Sequence, residues 1–93
     1  MDFHRSLEMS VSREEFFRFL PAAVGAFDVD GALVRGFDGE RGWAIRLVPL
    51  ADRRLGNVDL PRHGVEITVK ACSEAEGEAF MQRFHRGFLR GGG

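Results

Sequence analysis

The stretch PLADRRLGNVDLPRHG, from Pro49 to Gly64, decides how this chain folds. It holds Arg53, Arg54, Arg62 and His63 among leucines and prolines. Read for turns, "ADRR" (51–54) and "PRHG" (61–64) each mark one. Pro61 presets the backbone angle of a turn, and Gly64 closes it. Between them the chain is long enough for a short strand near 54–60. The alternative is a structureless loop of about 14 residues, which is uncommon in so small a domain. The spacing therefore predicts a strand there. Pro49 has no amide to give a ladder, so the strand before it should bulge or become an edge there.

Upstream, Asp38-Gly39 is a hairpin signal with apolar alternation on both sides, predicting strands over 32–37 and 42–48. Trp43, Ile45 and Leu47 share one face; Ala44, Arg46 and Val48 share the other. Downstream, VEITVKA (65–71) is the clearest strand. Val65, Ile67, Val69 and Ala71 point inward, and Glu66, Thr68, Lys70 and Cys72 outward. FHRSLEM (3–9) alternates as a half-buried strand does, with Arg5 the misfit on the apolar parity.

Two helices complete the chain. Ser12 with Glu15 forms a capping box, and Phe16, Leu20, Ala23 and Val24 recur at helical spacing behind it. Pro21 lies inside this pattern, so the helix should kink or end near Leu20, with Gly25 a natural stop. Ser73 with Glu76 forms a second box. Gly77, Phe80, Met81, Phe84 and Phe88 then make one apolar stripe, with glutamates at its start and Arg83, Arg86 and Arg90 at its end, as the macrodipole favours. Gly77 on that stripe predicts a close approach of helix and sheet. Gly91 to Gly93 should cap the helix and form a flexible tail.

The fold expected is α+β: a single curved antiparallel sheet with two helices on one face, in the order β-α-β-β-β-β-α. Residues 1–90 make one domain, followed by the glycine tail 91–93. The order resembles that of one TATA-binding-protein repeat. It is also similar to the double-stranded-RNA-binding fold with a strand added in front. The likeness is one of order alone. "SEAEGEAF" (73–80) is acidic where the RNA-binding fold carries a lysine cluster, and fold does not carry function.

Composition removes several kinds of chemistry. Cys72 is the only cysteine, which excludes an internal disulfide and any multi-cysteine metal centre. His4, His63 and His85 share no metal-ligand spacing, and DVDG (28–31) lacks the glycine position and final glutamate of a calcium loop. No cofactor is expected. Cys72 precedes a helix start, but no base is near it in sequence. Glu14 and Glu15 are adjacent on a helix and point apart. No catalytic set emerges, so the chain is not read as an enzyme. No apolar run approaches the ~20 residues of a membrane span, and the N-terminus lacks a signal-peptide pattern. A cytoplasmic protein is expected.

The formal net charge is −1, so a nucleic-acid partner has no global attraction behind it. The basic residues cluster locally: residues 41–63 hold five arginines against two acids. Arg46, Arg53, Arg54, Arg62 and His63 are thus the candidate binding group, suited to an anionic small molecule because arginine forks match such groups. The alternation also places Val48, Val58 and Leu60 on the face away from the helices, beside Arg46. Such a patch suits a partner surface. The leading expectation is a non-enzymatic module that self-associates, as a homodimer, through its sheet. The second is a small-molecule binder with an apolar cavity and arginines on an anionic group.

Overall fold

The computed structural model describes residues 1–92, in the order β1 (Phe3–Met9), α1 (Arg13–Val24), β2 (Asp28–Asp30), β3 (Leu33–Asp38), β4 (Arg41–Leu55), β5 (Val58–Val69) and α2 (Glu74–Gly92). All five strands join one antiparallel sheet, β1-β5-β4-β3-β2. The class is α+β, with the element order that the sequence implies. Gly91 and Gly92 continue α2, and the tail reading is left to Gly93, which lies outside the described residues.

Alternation builds the core. Phe3, Val34, Trp43, Ile45, Leu47, Val65, Ile67 and Val69 face the helices and are buried. Phe16, Leu20 and Ala23 of α1 and Phe80, Met81, Phe84 and Phe88 of α2 close over them in one cluster. Two glycines set the spacing. A Cβ at Gly77 would lie 2.2 Å from Cγ of Phe3, and one at Gly87 would lie 2.3 Å from Cα of Ala23. The first brings α2 down onto β1; the second brings α2 against α1. Both capping boxes form, Ser12 with Glu15 and Ser73 with Glu76.

The stretch 49–64 departs from the sequence reading. Neither 51–54 nor 61–64 is a turn; both lie in strands. The chain reverses at Gly56-Asn57, where Gly56 takes φ +61°. Residues 54–55 end β4, and 58–60 begin β5, so no separate strand occupies 54–60. The remaining strand is β2, folded back on β3 through Gly31 at φ +62°. Turn chemistry at Pro61 and Gly64 loses to the ladder for a local reason. Gly64 pairs with Val48, and a Cβ there would make ordinary contact, 3.4 Å from that of Val48. Pro61 falls where its missing amide breaks no bond to β4.

Two further expectations are corrected. α1 passes through Pro21 and ends at Gly25, because burying Leu20 and Ala23 on one stripe keeps the last turn helical. Cys72 does not face out. The strand ends at Val69, Ala71 turns at φ 52°, and Cys72 swings into the core, its Sγ donating to the Val69 carbonyl at 3.4 Å. Asp2 holds this corner by accepting from the Ala71 amide at 3.0 Å.

Candidate interaction face and arm

β1 ends opposite His63, and β3 begins opposite Arg46. Past these points β4 and β5 continue alone as a two-stranded arm. Its reach is evident in the overall dimensions of 46 × 24 × 22 Å. The long one matches fifteen residues of β4 at ~3.3 Å each.

The register sorts the arm's residues into two sides. A bulge between Leu50 and Arg53 sets Ala51 and Asp52 against Pro61 and shifts the phase of β4 by one. Val48, Leu50, Arg53, Leu55, Val58, Leu60 and Arg62 therefore lie on the open side, continuous with the helix-free face of the sheet. Pro49, Arg54, Asp59, Pro61 and His63 lie on the other. The three apolar positions Val48, Val58 and Leu60 thus share one side with Arg46. Leu50, Leu55 and Val58 are 36%, 53% and 57% exposed.

The five basic candidates are not brought together. Arg46, Arg53 and Arg62 are on the open side, and Arg54 and His63 on the opposite one. Three have structural work. Arg62 Nε donates to the Ala51 carbonyl freed by the bulge, at 2.9 Å, and its guanidinium also pairs with Glu8 of β1. His63 Nδ1 lies 2.8 Å from the Val11 carbonyl, joining the arm's base to the start of α1. Arg54 Nε donates to the Gly56 carbonyl at 3.2 Å, across the tip. Arg46 and Arg53 make no hydrogen bond or ion pair among the described residues.

Each edge of this sheet is blunted. The Lys70 amide donates to Gly42 of β4, so even-numbered residues of β5 point their amides at β4 and odd-numbered ones point away. The Leu47 amide donates to Ala32, so odd-numbered residues of β4, up to the bulge, point away from β5. Pro49 and Pro61 are both odd. Each stands on an outer edge of the arm, where an added strand would need an amide that proline lacks. At the outer strand β1, Arg5 sits on the inward parity and pairs with Glu78 of α2. β2 is three residues long and carries two aspartates. Short strands, inward charges and edge prolines all oppose strand addition.

The open face has a second apolar end. Phe37 is 74% exposed and packs over Gly42, on the side opposite the helices. Beside it a shallow groove of about 400 Å³ runs along Asp28, Arg35, Ala44 and Lys70. None of the five basic candidates lines it. Among the described residues no group of three or more His, Cys, Asp or Glu converges as a metal site would. No helix among them is long and apolar enough to cross a membrane.

Sequence reasoning missed Leu55 and Phe37 as surface residues. For Leu55 the signal was present: Gly56-Asn57 between two apolar residues is a two-residue hairpin turn. For Phe37, membership of an alternating strand does not say which face is left uncovered. No family model matches the chain, and no curated protein or solved structure matches it significantly.

Proposed function

We propose that this chain is a non-enzymatic interaction module that self-associates as a dimer through the open face of its sheet, with Val48, Val58 and Leu60 in the contact. The observation that carries this reading is the apolar strip of the arm. Leu50, Leu55 and Val58 project into solvent from a two-stranded ribbon beyond both neighbouring strands. A ribbon of that kind is marginal in water without a cover. The blunted edges favour contact through a face. The compartment proposed is the cytoplasm, in keeping with a single free thiol at Cys72. The test is sedimentation equilibrium over a wide concentration range at low and high salt. A dimer at both salt levels is expected; a monomer throughout would overturn the reading.

A second reading is binding of an anionic small molecule. It is favoured by one observation: two cations, Arg35 and Lys70, line the groove beside Phe37. Trp43 borders that groove, so an anionic amphiphile bound there should change its fluorescence, and replacing the lining cations Arg35 and Lys70 by alanine should remove the change. No change across a panel of such ligands would dispose of it.

A further inference from the structure

We infer that two copies pack open face to open face and head to tail, so that the arm tip of each covers the Phe37 corner of the other. This rests on the self-association proposed above and adds its geometry.

Area makes the first argument. An arm two strands wide and six residues long offers only ~200 Å², from strands about 4.8 Å apart at ~3.3 Å per residue. A stable interface takes about 800 Å² from each partner. The body, five strands wide within an outline of 46 by 24 Å, brings the whole face close to that figure. The arm must therefore lie on a body, not on another arm alone.

Register makes the second. Val48 pairs with Gly64 near the middle of the long ladder. On β5, Lys70 lies six residues to one side of Gly64, and Val58 six to the other. On β4, Gly42 is six residues from Val48. Leu55 is seven away, and one of those seven is the bulge residue. A two-fold axis lying between the faces, crossing the strands over Val48 and Gly64, thus sets Leu55 and Val58 of one copy over Gly42, Lys70 and the Phe37 corner of the second.

The same operation brings one pair of opposite charges together. Arg62 and Glu66 stand two residues either side of Gly64, so Arg62 of each copy faces Glu66 of the other. Arg46 faces Leu50, Arg53 faces Ala44, and Leu60 faces Thr68. No two like charges on β4 and β5 are set opposite each other. Gly64 lies on the axis beside Val48 and leaves room there for two sheets to approach to about 10 Å. A same-direction stack would set Phe37 over the Asp2 end of β1 and leave its ring without an apolar cover.

Cysteine cross-linking tests the arrangement, because native Cys72 is buried. Leu55→Cys, Phe37→Cys and the double variant are treated with a bismaleimide spanning about the 10 Å between packed sheets. Within one chain the two positions are ~40 Å apart at ~3.3 Å per residue, too far for the reagent. The double variant is expected to move from the 10.4 kDa monomer band to a covalent dimer, while each single variant stays monomeric. Efficient cross-linking of Leu55→Cys alone would overturn the inference in favour of tip against tip. A dimer by sedimentation with no cross-link in the double variant would overturn it and leave self-association standing. A monomer by sedimentation would remove both.

Discussion

Pro49 and Pro61 stand on opposite outer edges of one arm, each at a position whose backbone points away from its ladder partner. Neither proline costs the β4–β5 pairing a hydrogen bond, and each denies one to an incoming strand. Replacing Pro61 by Val restores an outward amide on an exposed, apolar edge. Pro61→Val is expected to form species larger than a dimer, read as turbidity and as mass in light scattering. If the variant stays as soluble and as small as the parent, edge closure is not the role of this residue.

Gly77 and Gly87 should both resist substitution, and for different reasons. At Gly77 a new methyl meets the buried side chain of Phe3 at its Cβ and Cγ, so the ring must be displaced within the core. At Gly87 it meets the backbone of Ala23, so the two helices must part. Overpacking costs about 1–3 kcal/mol, against a gain of up to ~1 kcal/mol from replacing glycine by alanine in a helix. Urea unfolding should show a net loss for both variants, the larger for Gly87→Ala. Equal or greater stability in Gly87→Ala would contradict the close α1–α2 contact.

The two capping boxes make stability depend on pH at the acid end. The Ser12 backbone amide, then its hydroxyl, hold the Glu15 carboxyl below the ordinary range. The Ser73 amide leads the same effect on Glu76, with Arg41 adding to it. A carboxylate lowered in the folded state contributes stability that is present above its unfolded value, near 4.3, and lost as pH falls through the folded one. Stability should therefore decline as the pH is lowered from about 4.3. Glu15→Gln with Glu76→Gln should flatten part of that decline in urea midpoints taken across the acid range. An unchanged slope would mean that other carboxylates govern it.

Most of the architecture was legible because two periodicities carry it. Alternation through Trp43, Ile45 and Leu47 and through Val65, Ile67 and Val69 fixed the inner face of the sheet. Helical spacing through Phe80, Phe84 and Phe88 fixed the stripe of α2, and two Ser-to-Glu boxes marked both helix starts. The arm is not legible because its signals conflict. Pro61 and Gly64 have turn chemistry, while Gly56-Asn57, the true reversal, is flanked by a bulge that breaks alternation at Ala51 and Asp52. Which positions are edges depends on where β1 ends and β3 begins, and that is a property of the assembled sheet. The same holds for the arginines: their clustering in sequence says nothing of the side each takes, and the ribbon divides them.

The central claim is that the open face holds two copies together, and mass is its most direct test. Sedimentation equilibrium on the parent, on Val58→Arg at the arm tip, and on Ala22→Arg on the exposed surface of α1 separates that face from the helix side, with circular dichroism checking that each is folded. The account predicts dimers for the parent and for Ala22→Arg, and a folded monomer for Val58→Arg. A parent that is monomeric, or a Val58→Arg variant as dimeric as the parent, would contradict it.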